Sequence, residues 1–336
     1  MTTVESAAGR NGIDWQQLLR QHGWTTGVWL LLFALIGFYA TLIPSFGSFQ
    51  ITSILKNSLP LVYLAVGQAI IVITGGIDLG IGAMLVFSNA LAARLMEGQP
   101  FAMTLVIAAG VILLCALING VVGWIITVSK VPDIVITLAT LFIISGMALL
   151  ILPSPGGGTS EGFRAIFTGS TSGTGSNFWP SLVMLAIPVA IGSYFMRRTR
   201  TGLSLYATGS DRTAAYLSAV NVSRARIVSY AVGGAYGALG GLAALAIAGS
   251  GESRFATGSS FTLRAVAAIV LGGVALTGGV GSVVGAAAAG LVLLTLSPVL
   301  SAMGIDPNTS QVIQGVLIVV VMMIAGIVQL RRERAT

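Results

Sequence analysis

Apolar runs alternate with short polar, basic or glycine-rich breaks along almost the whole chain. Residues 1–23 are polar and mixed in charge, and are expected in the cytoplasm. Gly27–Ile43 reads as a first span, with Trp24 and Trp29 as interfacial anchors. Pro60–Thr74 and Gly80–Leu95 are each shorter than the roughly 20 residues a span needs, so they are expected as a discontinuous or re-entrant pair. Met103–Val128 and Ile134–Leu152 are full spans. Composition then turns to Gly, Ser and Thr over 153–177, which reads as an exposed loop. Phe178–Met196 spans again, with Pro188 placed to kink it. Ile227–Ile247 carries Gly233, Gly237 and Gly241 at every fourth position, a close-packing seam on one helix face. Ala265–Val274 and Gly281–Leu296 form a second short pair. Gln311–Leu330 is the last span before a basic tail at 331–336. The expected fold is an all-α polytopic membrane protein of about ten transmembrane or half-membrane helices, with one transmembrane domain over 24–330.

Composition agrees with that pattern. The chain is 55% hydrophobic and 8% charged, against about 25% charged in a soluble domain. The net charge of +7 does not suggest nucleic acid, because the basic residues sit in short loops beside apolar runs, where they set orientation. With both termini inside, Lys56, Arg94, Arg164, Arg254 and Arg264 fall outside, leaving twelve of the seventeen Lys and Arg within. Cys115 is the only cysteine and His22 the only histidine. Thiolate and multi-histidine metal sites are thereby excluded, and a histidine-based triad is not expected.

The stretch Val72–Phe87 concentrates the candidate chemistry. Gly75, Gly76, Gly80 and Gly82 interrupt it, and Asp78 is the only carboxylate between Lys56 and Arg94. A charged side chain deep in a bilayer costs roughly 2.5–3.5 kcal/mol on insertion scales. Backbone that leaves helical geometry there must be buried in protein or line a wet cavity. Gly75, Gly76, Asp78 and Gly80 are therefore solute-path candidates, with Asp78 either bracing the break or touching solute. Asn119, Thr137 and Thr140 are polar groups on neighbouring spans, suited to helix–helix bonds or to solute hydroxyls. A second break, VLGGVALTGGVGSVVG (270–285), echoes the first and adds Gly272 and Gly273 to the candidates. The echo suggests a parallel internal repeat, in which Ala275 stands where the first copy has Asp78.

Arg197–Arg226 carries six arginines and the single acid Asp211, which places it in the cytoplasm. Ser210 is positioned to cap a helix from Asp211 to about Val220, with Ala214, Leu217 and Val220 as an apolar stripe. Such a helix either docks into a partner's groove or belongs to a solvated loop that only fixes topology. Neither Lys56 nor Lys130 ends a phosphate-cradling GxxxxGK[ST] run, so any ATP-driven step needs another chain.

TGGIDLGIG (74–82) closely resembles the TGGIDLSVG signature of ribose-type sugar ABC transporter permeases. LING (117–120) with VPDIVITLATL (131–141) resembles LING…IPPFIVTLGTM. TRTGLSLYATGSDRTAAYLSAVNV (199–222) resembles TRFGRxIYAIGGNxxAARLSGINV. AVAAIVLGGVALTGGVG (265–281) resembles AIAAVVLGGTSLSGGRG, and 311–320 resembles the family's last span. The resemblance runs in order from about 55 to 330. It implies a bacterial inner-membrane permease subunit that carries a monosaccharide-like solute inward by alternating access and is not itself an enzyme. Its implied partners are a second permease subunit, two ATP-binding subunits that hold ATP and Mg, an extracytoplasmic solute-binding protein and membrane lipid. It makes Gly209, Ser210, Asp211, Arg212, Ala214, Leu217 and Val220 the expected coupling residues. Thr262 and Arg264 stand where the family has acids, Asp133 where it often has an apolar or small residue, and Thr213 and Ala219 where it has Glu and Gly. Rival readings are an ABC permease for an amino acid, vitamin or furanosyl signal, an ion-coupled secondary carrier, and an intramembrane enzyme.

Overall fold

The apolar runs become α1 (Trp15–Leu42), α2 (Ser48–Ile73), α3 (Ile81–Met96), α4 (Phe101–Ser129) and α5 (Asp133–Ile151). There follow α6 (Glu161–Thr168), α7 (Trp179–Arg198), α8 (Arg200–Ser210), α9 (Arg212–Leu217), α10 (Val222–Ala248), α11 (Phe255–Leu271) and α12 (Val283–Ala302). These elements come from a computed structural model that describes residues 15–170, 177–306, 308–317, 319, 320 and 323. Residues 308–317 are also helical, while most of the expected last span and the basic tail lie outside the described residues. Among the described residues there is no β-strand, and the fold is all-α.

Among the described residues, seven helical stretches are long and apolar enough to cross a membrane: Gly23–Leu42 of α1, and all of α2, α4, α5, α7, α10 and α12. The chain is a multi-pass membrane protein. The expectation of two short pairs is corrected in part. Only α3 and α11, at 16 and 17 residues, fall short. Their partners α2 and α12 run through Pro60 and Pro298 without ending. Inside a bundle, neighbouring helices offset the one backbone bond a proline removes. α2 begins about three turns before Pro60, at Ser48.

α2 is the axis of the bundle because it is apolar on every face. A helix without a polar side is stable only when surrounded, and every residue from Ser58 to Ile73 is buried. α10 lies beside it, and the glycine seam sets how close. Gly233 faces Ile71 on α2, Gly237 faces Met84 on α3, and Gly241 lies against the Leu85 carbonyl and Ser88 hydroxyl. A Cβ at 241 would stand 2.0 Å from Ser88 Oγ and 2.2 Å from the Leu85 oxygen. Gly241→Ala is therefore expected to lower stability by about 1–3 kcal/mol, read as a fall in Tm in detergent. Gly110→Ala should be neutral beside it, since no neighbouring atom lies within 4 Å of that position's Cβ. On α4 and α5 the pattern of a soluble helix is reversed. Thr104, Asn119, Thr137, Thr140 and Ser145 are buried, while Leu113, Trp124, Phe142 and Leu150 face outward.

Two ends of the bundle are distinct. One gathers the α2–α3 turn, α8, α9 and the α11–α12 turn, and is called the basic end below for its arginines. At the far end, Gly156 and Gly251 form an isolated antiparallel bridge, and Glu252 N–H donates to Asn89 Oδ1 at 2.7 Å. There α6 corrects the expectation of an exposed loop over 153–177, of which 171–176 lie outside the described residues. Ser160 caps it by accepting from Phe163 N–H, and Phe163 and Phe167, four residues apart, are buried. Arg164 on α6 donates from Nε to the Ala246 carbonyl at 3.1 Å, covering the C-terminal turn of α10. Cationic groups belong there, because the last carbonyls of a helix are partially negative.

The two halves echo each other in packing. α1 lies along α12 as α10 lies along α3, and α2 packs on α12 as α11 packs on α3. Both broken segments turn at the basic end, the sense of a parallel repeat.

Candidate functional site

Both breaks open with the same helix stop. Gly76 N–H reaches back to the Ile71 carbonyl at 3.1 Å and Val274 N–H to the Ile269 carbonyl at 2.9 Å, five residues in each case. Gly75 and Gly273, at φ +80° and +82°, supply the left-handed residue this stop requires. The geometry aligns Gly75 with Gly273, not with Gly272. Asp78 thus corresponds to Leu276, and the expected match to Ala275 is one residue out of register. Matching GG to GG in the sequence hid this, because Thr74 takes in the first break the place Gly272 takes in the second.

Asp78 is fully buried and both its oxygens are engaged within the chain. Oδ1 accepts from Gly80 N–H at 2.7 Å and Oδ2 from Asn119 Nδ2 at 2.9 Å. Asn119 donates also to the Tyr230 carbonyl at 3.0 Å, so one amide ties the break to α4 and α10. Thr137 gives its hydroxyl proton to its own helix, at the Asp133 carbonyl (2.9 Å), with the Ile77 carbonyl 3.4 Å away. Thr140 bonds the Ile136 carbonyl of its own helix at 2.9 Å and packs beside Gly80. Gly76, Asp78, Gly80, Asn119, Thr137 and Thr140 thus form one buried cluster, while the half-buried Gly75 turns toward Gly209 and Arg212. Gly272 and Gly273 lie apart from it. Gly272 packs on the backbone of Gly285, and Gly273 packs under the Trp24 indole, whose Nε1 donates to the Leu271 carbonyl at 2.8 Å.

Four features of this site escaped the sequence reading. Thr262, standing in an acid's place, accepts from Gly82 N–H at 3.1 Å and so pins α11 to the start of α3. Tyr230 O–H points at Asp133 Oδ2 at 2.9 Å, with the Ile77 carbonyl at 3.2 Å. Asp133 pairs with Arg226, and both side chains are largely shielded. Finally, Gly278 and Gly279 join the two breaks: Gly279 N–H donates to the Ile73 carbonyl at 2.8 Å.

The arginine-rich segment is keyed into that junction. Gly209, near the end of α8, lies directly on Ile73 and Gly279, and Arg212 Nη2 donates to the Gly75 carbonyl at 3.0 Å. Tyr206 O–H donates to the Gly281 carbonyl at 2.9 Å. Two helices replace the single one expected. Asp211, not Ser210, is the cap: its Oδ1 accepts from Thr213 and Ala214 N–H, while Ser210 Oγ turns back to the Tyr206 carbonyl. α9 stops at Leu217 and Ala219 takes a positive φ of 61°, so Val220 is not part of the helix. The expected stripe is corrected with it. Ala215 faces the bundle, whereas Ala214, Tyr216 and Leu217 are exposed, the last two at 73% and 79%. Beside them, Tyr216, Val220 and Val222 help line a shallow cleft of about 330 Å³. Among the described residues, no group of His, Cys, Asp or Glu is placed to hold a metal ion.

The family described as "Branched-chain amino acid transport system / permease component" matches residues 50–322. Among curated proteins, the ribose import permease of Escherichia coli strain K12 is 28% identical over 330 residues, covering 96% of this chain and 98% of its own. The ribose import permease of Bacillus subtilis strain 168 is 30% identical over 303 residues, 89% and 91% of the two chains. The galactose/methyl galactoside import permease of E. coli K12 is 29% identical over 308 residues, 87% and 91%. No solved structure matches the chain significantly.

Proposed function

Since the chain belongs to the branched-chain amino acid transport permease family, we propose that it is the membrane-spanning subunit of an ATP-binding-cassette importer for a monosaccharide. The names of its relatives, ribose and galactose import permeases, support that solute class. The observation that carries the mechanism is the α8–α9 segment, which meets both glycine breaks with its inner side and presents Tyr216 and Leu217 outward. In this reading the basic end and both termini face the cytoplasm, and the basic residues there set that orientation. An ATPase subunit, which binds ATP and Mg, takes Tyr216 and Leu217 into a groove. A second permease subunit completes the pathway, and a binding protein delivers solute at the far end. The chain itself hydrolyses nothing and needs no cofactor of its own. Gly75–Gly80 and Gly272–Gly273 are the bends about which the two halves rock. Asp78 and Asn119 brace the first bend, because their bonds are spent inside the chain.

Uptake of labelled ribose, galactose and fructose, by vesicles containing the chain with its ATPase and binding protein, tests this reading. One sugar should accumulate only when ATP is present. Accumulation without the ATPase subunit, or of none of the sugars with it, would overturn it. Leu217→Asp should weaken ATPase binding at least about tenfold, since a charge replaces an apolar anchor at the contact. Co-purification from detergent at wild-type yield would show that the contact lies elsewhere.

A further inference from the structure

We propose that Asp133 and Arg226, with the Tyr230 hydroxyl, form a latch that clamps α5 to α10 across the first glycine break and thereby positions the docking segment. Asp133 opens α5, and Arg226 lies in the second turn of α10, 93 residues later. Arg226 and Tyr230 are four residues apart, so they share a helix face. Both turn to the same carboxylate: Arg226 Nη2 to Oδ1, and Tyr230 O–H to Oδ2 at 2.9 Å. The next acceptor beside that hydroxyl is the Ile77 carbonyl of the break, at 3.2 Å. The Tyr230 carbonyl holds Asn119, the residue that braces Asp78. Latch and brace therefore meet at one residue of α10.

The docking segment reaches the same charges. Arg212 on α9 donates to the Gly75 carbonyl, one residue from Gly76, which packs against Asp133 Oδ2 and the Tyr230 hydroxyl. Burial lowers the Arg212 pKa from its ordinary value, and Arg226 nearby lowers it further while Asp133 opposes both. Asp133 thus pairs directly with Arg226 on α10, while Arg212 on α9 is bonded to the break itself and feels Asp133 only through its charge. Among the described residues no ion pair holds the second break, where the Trp24 indole donates to the Leu271 carbonyl and the Arg197 guanidinium to the Ser282 hydroxyl.

Stability alone is a poor reason for this arrangement. Desolvation offsets most of the attraction in a shielded ion pair, and apolar replacement of both partners is often neutral, whereas removal of one leaves an uncompensated charge. What the pair supplies is a fixed geometry among α5, α10, the break and α9. The proposal rests on the docking reading above, but its test needs no ATPase or solute.

Spin labels at Val131→Cys and Thr213→Cys report the α5–α9 distance in lipid nanodiscs; Cys115 is buried and stays in place. The chain with an intact latch should give one narrow distribution. Asp133→Asn and Arg226→Gln should each broaden it or move it on the order of a helical turn, about 5 Å. The charge exchange D133R/R226D should restore it. If the single variants do not fold, the apolar pair D133L/R226M should fold and still show the broadened distribution. An unchanged distribution in any folded variant lacking the pair, or no recovery on charge exchange, overturns the latch. Failure of ATP-driven sugar uptake by the wild-type complex would instead sink the importer reading and leave the distances standing.

Discussion

Gly209→Ala is expected to cost more than any other single methyl group in the docking region. A Cβ there would lie 1.9 Å from the Ile73 carbonyl oxygen and 2.6 Å from Gly279 N. Those two atoms are partners in the hydrogen bond that joins the breaks. The methyl group has no flexible side chain to push aside, because its neighbours are backbone on both sides. α8 must therefore lift off the junction, or the Gly279–Ile73 bond must open. Overpacking of this kind costs about 1–3 kcal/mol and occasionally more. The larger effect should be on coupling. ATP-driven uptake should fall by at least about tenfold, the equivalent of roughly 1.4 kcal/mol, with the protein still inserted in the membrane. Membrane yield, Tm and uptake, measured together, separate the two effects. Wild-type uptake in a folded Gly209→Ala protein would mean that the docking segment moves the halves without touching this junction.

Asp78→Asn is the second large effect, and it comes from donor and acceptor counting. The carboxylate accepts from two fixed donors, Gly80 N–H and Asn119 Nδ2. An amide keeps only one acceptor atom. If that atom faces Gly80, an NH₂ group faces the Asn119 NH₂ group. Turning Asn119 over relieves the clash but gives up its bond to the Tyr230 carbonyl. One buried donor or acceptor is unpaired in either case, at about 1–3 kcal/mol. The expected result is a folded protein with a lower Tm and reduced uptake. Asp78→Ala, which leaves both donors unpaired, should be worse in both measurements. Equal stability of wild type and Asp78→Asn would show that the acid does not brace the break.

Much of the fold was legible because a bilayer imposes a simple rule on composition: runs of apolar residues must be spans, and basic loops orient them. The docking segment was legible through Asp211 and its arginines, although the capping residue was misplaced by one position. Ser210 and Asp211 are both good caps, and only the backbone decides between them. What sequence hid falls into two kinds. Some signals were local but overruled: Ser160, Phe163 and Phe167 announce α6, yet the Gly- and Ser-rich surroundings suggested a loop. Others are contacts between distant positions. Nothing near Asp133 points to Arg226, and Arg226 looked like one more orienting charge. Asp133 and Thr262 did stand out, as departures from the resembling family's pattern, and both lie at the first break, Asp133 beside Gly76 and Thr262 bonded to Gly82 N–H.

α10 is tethered at its two extremities, to Asp133 through Arg226 and to α6 through Arg164. From Arg226 to Ala246 is about 30 Å of uninterrupted helix. Held at both extremities, the helix is expected to carry a displacement at its basic end through to its far end. Reporters fixed near Phe163 should therefore register events that begin at Arg212, although no chemistry passes between them.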